Sequence, residues 1–141
     1  MDNSKIIKTI AQKLFPLILL FGFYLTLHGH LSPGGGFQGG VVIATAIILL
    51  ALSHGIDETE NRFKEKHLNN IEKLAILAFI FLGMLGIFNN YPFLKDIFPL
   101  GQRGFLASAG MMIPLNLVIS IKVAAGITGI FYILVKYRGE I

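Results

Sequence analysis

Residues 28–40 read HGHLSPGGGFQGG and separate two long apolar segments of the chain. Seven of these thirteen residues are glycine or proline. Proline has no backbone N–H to donate, and glycine adopts backbone conformations that are closed to other residues, so a helix cannot simply continue through the stretch. The stretch therefore predicts a turn, followed by the start of a new helix.

The glycines of this stretch fit two different patterns. Gly34, Gly36 and Gly39 match the G-x-G-x-x-G turn of dinucleotide-binding folds, but that turn follows a strand, and here a long apolar segment precedes it. Gly36, Gly40 and Ala44 are spaced four apart, and residues with this spacing lie on one side of a helix. Small residues in that arrangement let two membrane helices approach closely. We interpret the stretch as a site of close helix packing at the end of a membrane helix.

The composition is that of an integral membrane protein. Of 141 residues, 54% are hydrophobic and 14% are charged, whereas soluble domains carry about 25% charged residues. The chain has no cysteine, which excludes disulfides, iron–sulfur clusters and thiolate metal sites. Because its basic residues cluster beside apolar segments, we attribute the net charge of +4 to membrane topology. We expect the lipid bilayer as a partner, no nucleic acid, and no cofactor in this chain.

Four segments are long enough to cross the bilayer as helices, at 6–27, 36–53, 71–88 and 115–135. A hydrocarbon core of about 30 Å needs about 20 apolar residues in a helix. The sequence therefore predicts an all-α membrane protein with four transmembrane helices. We expect residues 1–141 to form a single four-helix unit.

Lysine and arginine are distributed unevenly around these segments. If both termini lie on one side, that side holds Lys5, Lys8, Lys13, Arg62, Lys64, Lys66, Lys73, Lys136 and Arg138, and the other holds Lys95 and Arg103. Cytoplasmic loops carry the excess of positive charge in membrane proteins. The sequence therefore predicts a multi-pass protein of the cell membrane with both termini in the cytoplasm and the turn at 28–36 facing outward.

The connection at residues 54–70 is the most polar part of the chain. Asp57 and Glu60 have the spacing of a capping box, which predicts the start of a short surface helix. Glu58 and Arg62 are four residues apart and would pair on its surface. A solvated helix explains this run of charges.

Lys122 lies about eight residues into the fourth predicted span, about 12 Å from its start. An ammonium at that depth costs about 2.5–3.5 kcal/mol unless it is paired or hydrated. Small residues share its helix face, which predicts packing against protein. Because we count no acidic residue within a span, we expect Lys122 to pair outside this chain, in a hydrated polar path; bonding only to carbonyls and water within the four helices stays open. Asn116 is a second polar candidate.

His28 and His30 bracket a glycine, a spacing that can seat a metal ion when other ligands converge. His54 and His67 fall on the other predicted side of the membrane, so we expect no metal site in this chain. We expect the histidines near the turn to form hydrogen bonds with it. A proton-transfer role for His30 stays open.

The titratable residues also limit what the chain does alone. Cation transport needs oxygen ligands near the membrane midplane, and a proton relay needs a series of titratable groups. One buried lysine is not a series. We therefore expect this chain to be one component of a larger assembly, not catalytic by itself and with no catalytic residues.

Residues 29–40 resemble the GH-x-x-PGGGF-x-GG motif of the MnhB/MrpB family, which belongs to the multisubunit sodium/proton antiporters. The matched positions are His30, Pro33, Gly34, Gly35, Gly36, Phe37, Gly39 and Gly40. The resemblance implies an accessory subunit of an ion-translocating module, assembled with other Mrp-type membrane subunits. The same family supplies subunits to membrane-bound hydrogenases and sulfur reductases. The alternative function is therefore an antiporter-like subunit of a redox-driven respiratory complex.

Overall fold

The computed structural model describes residues 5–31, 34–98, 101 and 106–139. The long helices are α1 (Lys5–His28), α2 (Gly36–His54), α4 (Glu65–Phe88) and α5 (Met112–Lys136), and a short helix α3 (Ile56–Arg62) joins α2 to α4. Each of the four long helices is long and apolar enough to cross a membrane. The predicted all-α fold with four long apolar helices is confirmed.

The observed helix ends agree with the predicted spans within about three residues, except at the third span. There α4 begins at Glu65, six residues before the predicted start at residue 71. Residues 65–70 read EKHLNN and are mostly polar, and Glu65, Lys66 and Leu68 among them favour helix. Hydrophobicity marks the part of a helix that matches the bilayer, and it does not mark where the helical backbone begins.

The four long helices are packed around α2. Helix α2 packs against both α1 and α5, and α4 packs against α5. In the most apolar 18 residues of each helix, half of α2 is buried, against 17% of α1 and of α4. Helix α2 is therefore the central element of this chain.

Helix α2 approaches its two neighbours through glycines on two faces. A Cβ placed on Gly40 would lie 2.5 Å from the carbonyl oxygen of Ser120 in α5. A Cβ on Gly36 would overlap the carbonyl oxygen of Asn116, and one on Gly39 would overlap the Oγ1 of Thr26 in α1. The motif glycines therefore leave no room for side chains at either contact.

Small residues continue both contacts along α2. Ala44, one turn after Gly40, is completely buried. On the α1 side the contact is reciprocal, because a Cβ on Gly22 would lie 2.7 Å from the Cγ1 of Ile43. In a membrane, packing and hydrogen bonding hold helices together, since lipid is as apolar as the side chains. The three helices are therefore held by contacts between backbones.

A buried pair of hydroxyl groups links α1 to α5 beside this glycine contact. Thr26 and Ser120 are each 2% exposed. The Thr26 Oγ1 lies 2.9 Å from the carbonyl oxygen of Gly22 and 2.9 Å from the Ser120 Oγ. A hydroxyl has one proton, so if the Thr26 hydroxyl donates to Gly22 it accepts the bond from Ser120. The pair satisfies polar groups that would otherwise be costly to bury.

A second polar link joins α1 to α2 at their other ends. The Gln12 Nε2 lies 2.9 Å from the His54 Nε2, and the His54 Nδ1 lies 2.8 Å from the Ser53 Oγ. With the Gln12 amide donating to Nε2, the imidazole proton sits on Nδ1 and is donated to Ser53. His54 is therefore a structural residue of the α1–α2 contact.

The short helix α3 differs in one respect from the sequence prediction. Its N-cap is Gly55, with φ of 97°, and no side chain caps it. The predicted capping box of Asp57 and Glu60 is therefore wrong, because the helix begins two residues before such a box would place it. The predicted pair of Glu58 and Arg62 is present, at 3.2 Å.

We expect Gly40→Ala to destabilise the protein, because the added Cβ meets a backbone oxygen that cannot move unless α2 and α5 separate. Overpacking of this kind costs about 1–3 kcal/mol. The matched control is Gly129→Ala in α5, where a Cβ meets nothing within 4 Å. Thermal unfolding in mild detergent would measure the stability of both variants. An unfolding midpoint of Gly40→Ala equal to that of Gly129→Ala would contradict the close packing of α2 against α5.

We expect Thr26→Val to weaken the α1–α5 contact by about 0.6–1.7 kcal/mol, the range measured for hydrogen bonds between membrane helices. Thr26→Val and Ser120→Ala should be non-additive in the same unfolding assay, because each removes the same bond. The matched control is Thr45→Val, since the Thr45 hydroxyl is exposed and bonds to Val41 of its own helix. Additive losses would show that the two hydroxyls do not interact.

Candidate functional site

The turn between α1 and α2 depends on two glycines in unusual conformations. Gly34 has φ of 146° and Gly35 has φ of 138°, values that other residues rarely adopt. Gly35 is the N-cap of α2, and its carbonyl oxygen accepts a bond of 2.9 Å from the N–H of Gly39. Pro33, which the motif also includes, lies outside the described residues.

Asn116 lies where this turn meets α5. Its Nδ2 is 3.0 Å from the position of a Cβ on Gly29, and its Oδ1 is 3.8 Å from the position of a Cβ on Gly35. Its carbonyl oxygen packs against Gly36. The structure therefore brings the motif together with a residue 80 positions beyond Gly36 in the sequence. An amide at this place offers one acceptor oxygen and two donor protons to water or an ion.

The two histidines of the turn differ in their surroundings. His28 Nδ1 donates to the carbonyl oxygen of Tyr24 at 3.2 Å, and the two rings stack with centroids 4.2 Å apart. His30 is half-buried. Across the described ranges, no group of three or more His, Asp or Glu side chains converges in a way that could hold a metal ion. His28 is thus engaged by α1 itself.

Lys122 lines an apolar groove between α2, α4 and α5. The groove has a volume of about 500 Å³ and is lined by Phe37, Ala75, Ile76, Phe79, Val118, Ile119, Lys122 and Val123. Lys122 is the eleventh of the 25 residues of α5, which places it about 3 Å from the middle of the helix. Its side chain is exposed in the isolated chain. The groove therefore opens toward lipid or a neighbouring protein at mid-membrane depth.

Glu72 corrects one premise of the sequence analysis. The expectation that no acidic residue lies within a span is wrong, because Glu72 lies in α4, and it also lies in the predicted third span. Its side chain is half-buried, and its Oε1 is 3.3 Å from the position of a Cβ on Gly126 of α5. Sequence reasoning missed it because Glu72 follows a polar run. The pattern that could have identified the helix face of Glu72 is its spacing of four and seven residues from the apolar Ile76 and Phe79.

A second, polar cleft lies between α3 and the first turns of α4. It has a volume of about 720 Å³ and is lined by Asp57, Glu60, Asn61, Lys64, Glu65, Lys66, Asn69, Asn70 and Lys73. All of these side chains are polar or charged. Lys73, the last of them along α4, is adjacent to Glu72. The polar surface of α4 therefore ends at the level of Glu72.

Comparison with known proteins identifies the family. A family model described as a domain related to the MnhB subunit of the Na+/H+ antiporter matches residues 6–129. This range includes the motif turn, Asn116, Glu72 and Lys122. The resemblance seen in the motif is thereby confirmed over most of the chain.

Similar proteins come from archaea and bacteria. Uncharacterized protein MJ1307 of Methanocaldococcus jannaschii is 34% identical over 94% of this chain and 53% of its own length. The putative antiporter subunit mnhB2 of Staphylococcus saprophyticus is 40% identical over 57 residues, which is 40% of each chain.

A solved structure has the same fold. A chain of the membrane-bound sulfane sulfur reductase (MBS), an archaeal respiratory membrane complex, matches with a TM-score of 0.78 and 33% identity over 93% of this chain and 57% of that one. This chain thus spans about half the length of the long relatives it matches. The chain belongs to the family of the MnhB subunit of Na+/H+ antiporters.

Proposed function

We propose that this chain is an accessory membrane subunit of a multisubunit Na+/H+ antiporter module. The observation that carries the proposal is the position of the family motif, whose glycines Gly36, Gly39 and Gly40 fix α2 between α1 and α5. The chain supplies helix packing and an apolar groove that contains Lys122 to the module. It is a multi-pass protein of the cell membrane with both termini in the cytoplasm, as the distribution of lysine and arginine indicates.

The chain acts with partners and does not transport ions by itself. Within the part that the structure describes, the groove at mid-membrane depth holds one lysine and one nearby carboxylate, which is too few oxygen ligands for a dehydrated cation. The outer faces of α1 are apolar and exposed, with Ile6 at 70% and Leu20 at 68%. Lipid and other Mrp-type membrane subunits cover such faces.

A second candidate function is a subunit of a redox-driven respiratory complex, such as a membrane-bound hydrogenase or sulfur reductase. The similarity to a chain of the sulfane sulfur reductase complex favours it. The electron transfer would occur in other subunits, because this sequence has no cysteine for an iron–sulfur cluster. In both candidates this chain is not catalytic by itself and carries no cofactor.

Isolation of the native complex in mild detergent would separate the two candidates. We expect antiporter-type membrane subunits to co-purify with this chain. Companions that carry iron–sulfur clusters or a redox metal would favour the second candidate. Recovery of the chain without any other membrane protein of either type would contradict both.

We further propose that Lys122 belongs to a hydrated polar path of the module. Lys122→Met keeps the length of the side chain and removes its charge, so the complex should assemble normally and lose cation/proton coupling. Lys122→Arg should restore coupling poorly, because arginine hardly ever releases its proton. Ion flux in membrane vesicles, divided by the amount of assembled complex, measures the effect.

The matched control for this experiment is Lys136→Met. Lys136 is exposed at the end of the same helix, so its loss should leave flux unchanged. Normal flux at normal assembly in Lys122→Met would overturn the path and leave the packing role.

A further inference from the structure

The contact between Glu72 and Gly126 sets the register of α4 against α5. The groove places Ile76 and Phe79 of α4 beside Lys122 and Ile119 of α5. Residue numbers rise along α4 where they fall along α5, so the two helices are antiparallel here. Lys122 precedes Gly126 by four residues. The Glu72 carboxylate and the Cα of Lys122 are therefore about one helical turn, or roughly 6 Å, apart along the groove.

Glu72 and Lys122 also lie on the groove-lining faces of their helices. Ile76 and Phe79 follow Glu72 by four and seven residues, a spacing that keeps residues on one helix face. On α5, Lys122 follows Ile119 by three residues, which is also same-face spacing. Glu72 is not among the residues that line the groove, and it lies one turn before Ile76 on the same face of α4.

Gly126 leaves the space between the two charges open. A Cβ at this position would already lie 3.3 Å from the Glu72 Oε1, so a larger side chain would stand between the carboxylate and α5. A lysine side chain extends roughly 6 Å from its Cα. The exposed Lys122 side chain can thus turn along α5 and bring its ammonium to the carboxylate, directly or through one water.

Neither charge is engaged elsewhere in the described part of the chain. The ion pair found among the described residues joins Glu58 to Arg62 on α3, so Glu72 and Lys122 are not within 4.0 Å of each other in this conformation. The groove side chains other than Lys122 are all apolar. Each charge by itself would be costly at this depth, and an opposite charge within reach lowers the cost of both.

We propose that Glu72 is the counter-charge of Lys122, and that the two side chains form an ion-pair site across the α4–α5 groove inside the membrane. The site supplies Lys122 with an acidic partner from this chain, at the level where the polar surface of α4 ends, so Lys122 does not need a carboxylate from another protein. The proposal names the partner of Lys122 in the polar path proposed above. Only its consequence for ion flux depends on that proposed function. The pairing itself is a property of this chain and its assembly.

Charge reversal tests the pair. Lys122→Glu and Glu72→Lys each place two like charges in the groove, so each should reduce the amount of complex recovered from membranes several-fold. The double variant restores opposite charges and should recover most of the loss. The control double variant, Lys122→Glu with Glu65→Lys, has the same net charge, but Glu65 lies two turns before Glu72 and lines the polar cleft. It should not recover.

This experiment tests the ion pair separately from the proposed function. Recovery in the Glu72 double variant alone supports the pair, even if no antiporter subunit co-purifies. Single variants that assemble normally, or a double variant no better than the worse single one, would overturn it. If the reversed variants do not fold, the neutral set of Glu72→Gln, Lys122→Met and their combination serves instead. There Glu72→Gln alone should lower the amount of assembled complex, because it leaves the Lys122 ammonium without its partner, and adding Lys122→Met should restore it. A double variant that assembles no better than Glu72→Gln would overturn the pair.

Discussion

The backbone contact of α2 with α1 and α5 is the constraint on which the rest of this structure depends. Gly39 faces Thr26 on one side, and Gly36 and Gly40 face Asn116 and Ser120 on the other. Lipid supplies no hydrophobic force between apolar helices, so close packing and hydrogen bonds must hold them. The glycines permit both, because backbones that touch also bring the Thr26 and Ser120 hydroxyls to 2.9 Å.

The position of α5 has consequences for charge. Helix α5 packs against both α2 and α4, and the groove that these three helices line contains Lys122. A single ammonium near the middle of a membrane helix is unfavourable by about 2.5–3.5 kcal/mol. In our proposal the half-buried Glu72, whose carboxylate lies beside Gly126 one turn after Lys122, offsets this cost. The close helix packing and the proposed ion pair thus share one helix, α5.

The sequence predicts the fold more completely than the site. Hydrophobic length gives four helices, and the glycine-rich stretch correctly starts α2 at Gly36, because glycine and proline punctuate local structure. The second glycine face at Gly39 and the bond between Thr26 and Ser120 depend on contacts between residues distant in sequence, which periodicity does not contain. Glu72 cannot be recognised easily from the sequence, because it directly follows a polar run and looks like part of it. The membrane orientation and the ion-path residues stay predictions.

Disulfide formation between Thr26→Cys and Ser120→Cys tests the central packing claim most directly. The chain has no other cysteine, and the two hydroxyl oxygens are 2.9 Å apart, so sulfur atoms in their place need little movement to bond. The predicted result is that mild oxidation of native membranes rapidly removes the thiols that maleimide labels after the protein is denatured. The control pair, Thr45→Cys with Ser120→Cys, should stay reactive because Thr45 faces away from the contact. Equal labelling of the two pairs after oxidation would contradict the contact of α1 with α5 that the close packing around α2 requires.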